Sequence, residues 1–197
     1  MKQIGLEPVI RLHEILQSFA HIIRVAHIKG RETRENDVEH SFIITMLAWH
    51  IVDVFKLPLD KDKVIKYALV HDLVEVYAGD TYILDEEAIK TKHEREERAR
   101  LQIKEELPEF SDLNDYILAY ETQVDSEARF VKALDKVQPV LANYLEKGRT
   151  WKEMDVSFTD LVTHKREKTA LDAEIAALLE EIIAQIEPKK LDYFPKE

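Results

Sequence analysis

Apolar residues recur at spacings of three and four from Leu6 through Val9, Ile10, Leu12, Ile15, Leu16, Phe19, Ile22, Ile23, Val25 and Ile28, which predicts one amphipathic helix over residues 6–28. His13, His21 and His27 fall within it as surface or core-edge residues. The pattern breaks over Lys29-Gly30-Arg31-Glu32-Thr33-Arg34-Glu35-Asn36-Asp37, which is polar, contains a glycine, and reads as a connecting loop. Asn36 or Asp37 can cap the next helix, with Glu39 and His40 in its first turn. That helix runs through Phe42, Ile43, Met46, Leu47, Trp49, Ile51, Val52 and Phe55 and stops before Pro58. It is apolar enough to predict a central, buried element. Asp60 caps a further helix through Val64, Ile65, Tyr67, Ala68, Leu69 and Val70 that continues into His71-Asp72.

A short apolar stretch, Thr81-Tyr82-Ile83-Leu84, reads as a loop crossing the end of that helix. Residues 85–107, dominated by Glu, Lys and Arg, predict a long exposed helix with His93 facing solvent, ended by Pro108. A short helix follows through Leu113, Tyr116, Ile117 and Ala119. Residues 125–147 carry an apolar stripe, from Phe130 and Val131 to Leu141 and Leu145, and Gly148 ends that helix. An irregular stretch leads to a last helix over residues 158–186, with Leu161, Val162, Leu171, Ile175, Leu178, Leu179 and Ile182 on one side. Pro188-Lys189-Lys190 begins the tail. No hairpin signature, glycine-rich phosphate loop or repeat is evident, so the predicted fold is an all-α, single-domain helical bundle over residues 1–197.

Composition narrows the chemistry. The 197 residues contain no cysteine, so a metal would have to be held by His, Asp or Glu. The formal charge of −11 disfavours nucleic acid as a partner, and no apolar run is long enough to span a membrane. The opening residues show no apolar signal core, which makes a cytoplasmic location the default expectation.

Against that background the segment His71-Asp72-Leu73-Val74-Glu75-Val76-Tyr77-Ala78-Gly79-Asp80 stands out. On a helix, Glu75 shares a face with His71 and Asp72, and Gly79 allows a turn that presents Asp80. Taken alone, ten such residues fit a capped, solvated helix as well as they fit a functional site. Two further positions shift the balance. His40 opens an apolar helix, and Asp135 lies in an apolar stripe where a carboxylate needs a partner. Two imidazoles and two carboxylates suit one divalent ion, Mn, Co, Fe, Ni or Zn, or else Mg. Such an ion would acidify a bound water and polarise a phosphoryl oxygen, with Glu75 and Asp80 placed to move protons.

The ordered series His40, His71-Asp72 and Asp135, spread from about Arg24 to Leu145, resembles the HD-domain phosphohydrolases. Within that superfamily, Glu35-Asn36-Asp37-Val38-Glu39-His40-Ser41 and the segment from His71 to Asp80 are similar to the bacterial 5'-deoxynucleotidase group. The resemblance implies that His40, His71, Asp72 and Asp135 ligate the metal and that Glu75 and Asp80 orient water and substrate. It further implies hydrolysis of nucleoside 5'-monophosphates, commonly by a homodimer. That group carries an Arg-Trp pair before the loop, the Arg on phosphate and the Trp against a ribose 2'-hydroxyl. Here the pair is Arg24-Val25, so the phosphate contact carries over and the sugar selection does not. Lys29, Arg31 and Arg34 are further candidates for phosphate, or else the charges of a solvated loop. A nucleoside triphosphate hydrolase on the same centre is the nearest alternative, ahead of a guanosine tetraphosphate hydrolase, for which no additional match is present. A metal-stabilised binding scaffold is the non-enzymatic one.

Overall fold

The computed structural model describes residues 4–81 and 86–195. In chain order its elements are α1 (Leu6–Phe19), β1 (Ile23–His27), β2 (Arg34–Asn36), α2 (Asp37–Val54), α3 (Lys61–Val70), α4 (Glu75–Ala78) and α5 (Glu86–Glu106). They continue with α6 (Ser111–Thr122), α7 (Ser126–Leu145), α8 (Arg149–Glu153), α9 (Phe158–Thr169), α10 (Ala173–Ile186) and, after a 3-10 turn, α11 (Lys190–Tyr193). The all-α expectation holds, with one small addition.

That addition corrects the first helix. It ends at Phe19, and after the turn Ile22 N–H to Phe19 O the chain becomes an antiparallel ribbon, pairing Ile23 with Asn36 and His27 with Arg34 across an irregularity. The polar stretch from Lys29 to Asp37 therefore contains β2 rather than loop alone. The six-residue connection contains a turn of its own, with Gly30 at φ +75° and Arg31 N–H donating to the Ile28 carbonyl at 3.0 Å, but it is longer than the short loops that mark a hairpin in sequence, and contacts from outside also hold it. Gly30 N–H donates to Glu146 at 2.9 Å, Arg149 donates to the Arg31 carbonyl at 3.0 Å, and His27 pairs with Glu153 at 2.8 Å.

Two apolar clusters flank the segment that carries the His-Asp pair. The larger joins α2 (Ile44, Ala48, Val52), α3 (Val64, Tyr67, Ala68), α7 (Phe130, Val131, Leu134, Val137) and α10 (Ile175, Leu179, Ile183). The smaller joins α1 (Ile15, Phe19), Leu73 and Val74, α5 (Ala99, Ile103) with Leu107 just after it, and α6 (Leu113, Ile117). Residues 71–74 do not continue α3 as one helix; they form a tight turn with Leu73 N–H to Val70 O and Glu75 N–H to Asp72 O. Tyr67 and Ala68 anchor it on one side and Leu73 and Val74 on the other, so the polar side chains between them are fixed by packing.

Other expectations are revised as well. The long charged helix α5 is exposed on one side only, since Ala99 and Ile103 are buried in the smaller cluster. The final helix is two, because Asp172 accepts from Ile175 N–H at 3.0 Å and starts α10 afresh. α2 is buried on one side only: His40, Ser41, Ile44, Thr45, Ala48 and Val52 face inward, whereas Phe42, Met46 and Trp49 are exposed. The stretch after Gly148 contains α8, and the loop expected over Tyr82, Ile83 and Leu84 lies outside the described residues.

Gly148 joins α7 to α8 at φ +70°, and a Cβ there would collide with the Tyr193 backbone. Gly148→Ala is expected to lose about 2 kcal/mol or more of stability, read from the chemical denaturation midpoint. An unchanged midpoint would show that α11 does not dock there.

Candidate metal centre

Four elements converge on one buried point. Asn36 caps α2 reciprocally with Glu39: its side chain accepts from Glu39 N–H at 2.9 Å, and its own N–H donates to the Glu39 carboxylate at 3.1 Å. This fixes the first turn of α2 and turns His40, fully buried, toward the core. α3 begins on Asp60, whose side chain accepts from Asp62 and Lys63 N–H, and ends at His71. α7 begins on Asp125 and carries Asp135 inward in mid-helix. Pro139, one turn on, has no N–H to give the Asp135 carbonyl, so the helical ladder skips a bond there.

One ligand atom from each of His40, His71, Asp72 and Asp135 lies within 4.8 Å of all the others. His40 Nε2 is 3.1 Å from Asp135 Oδ1 and 3.6 Å from Asp72 Oδ2. His71 Nδ1–H donates to the Ala68 carbonyl at 2.9 Å. That bond leaves the Nε2 lone pair 3.1 Å from Asp72 Oδ2, with no hydrogen-bond partner among the described residues. Two acceptors so close in a buried site require a proton or a cation between them. The four donors therefore fit a borderline divalent ion, and the tautomer set by Ala68 is the one such an ion needs.

The surrounding charges are uneven. Burial disfavours the Asp72 and Asp135 carboxylates. It is outweighed by His71 and Arg24 at Asp72, and by Lys136 and the two imidazoles at Asp135, so both are held well below the usual range. Lys136 Nζ lies 2.6 Å from Asp135 Oδ2, leaving Oδ1 toward the cluster. Burial and Arg24 oppose a charged His40, but Asp135, Glu35 and Asp72 prevail and raise its pKa to about 9. A metal needs the neutral ring. Its apparent affinity should therefore fall by up to about tenfold per unit as pH drops below that value, in a competition titration with Mn. Affinity independent of pH would mean that His40 is not a ligand.

Glu75, buried at the start of α4, has an unpartnered Oε2, while its Oε1 is 3.7 Å from Lys92 of α5. Burial first, then Asp72, Asp37 and Asp80, pushes its carboxyl well above the ordinary range against the pull of Lys92. Gly79, at φ +75° and ψ +151°, turns the chain after α4 and presents Asp80, whose carboxyl burial also raises. Arg24 reaches the cluster from β1 rather than from a helix, its Nη1 donating to Asp72 at 2.8 Å and to Asp37 at 3.1 Å. Asp37, Asp72 and Glu75 form a second close group of oxygens, and Arg24 and Lys92 already face its charge. Lys29, Arg31 and Arg34 stay on the ribbon's outer side: Lys29 is exposed, Arg31 pairs with Glu39 at 2.5 Å and Arg34 lies 3.8 Å from Glu153.

Several neighbours of the cluster are not marked by the sequence pattern. Glu35, buried on β2, stands 3.3 Å from His40 Nδ1 and accepts from Gln138 at 3.1 Å. Asp37 is fully buried, with burial and then Asp72 raising its pKa to about 6 against Arg24. Tyr120 of α6 sets its ring edge-on to His71, with centroids 5.9 Å apart. Lys136 had a signal, its adjacency to Asp135; Lys92 had none, being one cation in a long charge run.

The HD domain family profile matches residues 18–177. The chain is 38% identical over 140 residues to 5'-deoxynucleotidase HDDC2 of Homo sapiens, spanning 70% of this chain and 67% of that protein. It is 28% identical over 173 residues to 5'-deoxynucleotidase hdd1 of Schizosaccharomyces pombe, spanning 82% and 85%. The crystal structure of a predicted metal-dependent phosphohydrolase from Magnetospirillum magnetotacticum MS-1 superposes with a TM-score of 0.81 at 26% identity, covering 99% of this chain and all of that one.

Proposed function

We propose, from the premise that the chain belongs to the HD domain family, that it is a metal-dependent 5'-nucleotidase hydrolysing (deoxy)nucleoside 5'-monophosphates to nucleoside and phosphate. The observation that carries this reading is the convergence of His40, His71, Asp72 and Asp135 with a buried, unpartnered His71 Nε2 among them. These four side chains would hold one divalent ion. When bound, such an ion supplies Lewis-acid charge, acidifying coordinated water and drawing electron density from a phosphoryl oxygen.

The chain's own groups supply the rest. Arg24, with Nη2 free of protein partners among the described residues, holds the phosphate. Glu75, whose surroundings favour its protonated form, exchanges a proton with the attacking water or the leaving 5'-oxygen. Asp80 orients the water from beyond the Gly79 turn. Arg31 and Arg34, held toward Glu39 and Glu153, support no direct contact, so the phosphate role rests on Arg24. The other cations near the cluster, Lys92 and Lys136, are engaged by Glu96 and Asp135, which favours a monophosphate over a triphosphate.

The direct test is phosphate release from ribo- and deoxynucleoside mono-, di- and triphosphates with Mn or Co restored after chelation. Inorganic phosphate from monophosphates is expected, with little discrimination between ribose and deoxyribose because Val25 is small. Tripolyphosphate released only from triphosphates would overturn the reading.

The working unit is proposed to be a cytoplasmic homodimer of single-domain chains. Phe42 (65% exposed), Met46 (45%) and Trp49 (47%) lie along one side of α2 and offer an apolar face for a second copy. The wild type should sediment as a dimer and Phe42→Glu as a monomer. A monomeric wild type would contradict this. No helix among the described residues is long and apolar enough to cross a membrane.

A further inference from the structure

Asp37 is a carboxylate with no exposed surface that the chemistry above leaves unused. It is not the cap of α2, because Asn36 performs that function. It is not paired to saturation either: Oδ1 accepts from Arg24 Nη1 at 3.1 Å, and Oδ2 has no hydrogen-bond partner among the described residues. A buried carboxylate with an idle oxygen costs the fold stability, so its value lies elsewhere. Its backbone is fixed, with N–H donating to the Ile22 carbonyl at 3.1 Å across the mouth of the ribbon. The residue therefore ties the first turn of α2, the strand bearing Arg24 and the guanidinium itself into one unit.

Arg24 has three acidic neighbours with different obligations. Asp72, at 2.8 Å, belongs to the four-residue set that would hold an ion, and an ion competes with Arg24 for its charge. Glu35, 3.6 Å from Arg24 Nε, also faces His40 and Gln138. Among the described residues, the Asp37 side chain accepts a hydrogen bond from Nη1 alone. Nη2 has no protein partner among the described residues, and the side chain keeps 14% exposure. We propose that Asp37 is a positioning residue that holds the Arg24 guanidinium at the rim of the cluster, so that Nη2 stays directed to an incoming phosphate when Asp72 is drawn to a metal. This rests on the phosphate-ester reading of the site and adds to it how the phosphate grip is kept.

The probe is inorganic phosphate, titrated calorimetrically into the Mn-loaded protein. Asp37→Asn, which keeps an acceptor but removes the charge that holds the guanidinium, should weaken phosphate binding roughly tenfold, and Asp37→Ala, which removes both, further. In an Arg24→Lys background, already weakened, the Asp37 substitutions should add nothing. Mn affinity should be unchanged, and the thermal midpoint of Asp37→Asn equal to or above that of the wild type, whereas a merely structural carboxylate would lower it. Unaltered phosphate affinity in both Asp37 variants, or losses that multiply with Arg24→Lys, overturns the proposal. Lost Mn affinity also does so, since it would make Asp37 a ligand. A wild type that takes up no phosphate removes the role of Arg24 and this inference with it. If phosphate binding follows Asp37 while no nucleotide is hydrolysed, the substrate reading fails and the positioning role stands.

Discussion

Replacing His71 with alanine should release the divalent ion and reduce phosphate production by at least about a thousandfold. The expectation follows from how His71 is held. The Ala68 carbonyl fixes its tautomer, Tyr120 packs edge-on to its ring, and Nε2 is directed at Asp72 and Asp135 with nothing else to bond. Removing the ring leaves three donors, two of them carboxylates that repel each other without a cation. The fold should survive, because residues 71–74 are pinned by Tyr67, Ala68, Leu73 and Val74, and the lost Ala68 bond is worth only about 1 kcal/mol. The measurement is metal content after gel filtration alongside phosphate release and a thermal melt. A folded variant that keeps both metal and activity would remove His71 from the centre.

Glu75→Gln should retain the ion and lower kcat by about 10²–10⁴-fold, with a smaller change in KM. The substitution keeps shape and volume and deletes only the ionisable oxygen. Glu75 sits outside the four-residue set but within reach of Asp72, and its raised carboxyl suits a group that must both hold and give up a proton. Burial makes the charge costly, and its ion pair with Lys92 is long at 3.7 Å while Lys92 is held at 2.6 Å by Glu96, so the variant should melt no lower than the wild type. Undiminished kcat would assign the proton transfer elsewhere, Asp80 being next in line.

The metal set was legible in sequence because each member carries a local mark. His40 follows a cap, His71-Asp72 precedes an acid and a Gly-Asp turn at fixed spacing, and Asp135 interrupts an apolar stripe. The helical core was legible for a related reason in α6 and α7, which have apolar periodicity and polar ends, whereas the charge run of α5 concealed the face on which Ala99 and Ile103 are buried. The ribbon was not. Ile22, Ile23, Val25 and Ile28 continue the phase of α1, so a strand of five residues passed for another turn and a half of helix. The break at Asp172 was hidden in the same way, because Leu171 and Ile175 stay in register across it.

Glu35 and Asp37 illustrate a deeper limit. In a polar run they read as solvated loop, and only the folding of β2 against β1 over α7 makes them buried carboxylates beside His40 and Arg24. Lys92 reaches Glu75 only through the packing of α5 on α4. Surroundings of this kind are made by tertiary contacts between distant residues, and residue spacing carries no trace of them. The exposure of Phe42, Met46 and Trp49 is the converse case: apolar composition marked α2 as buried, but only one of its faces meets the core.

The central claim is that phosphoester hydrolysis depends on a divalent ion held by His40, His71, Asp72 and Asp135. It is tested most directly by measuring phosphate release from a deoxynucleoside 5'-monophosphate after exhaustive chelation, as Mn is titrated back. The account predicts no release from the stripped protein, recovery with added Mn, and no recovery in His71→Ala. Full release from the stripped protein, or restored release in His71→Ala at the same Mn concentration, would contradict it.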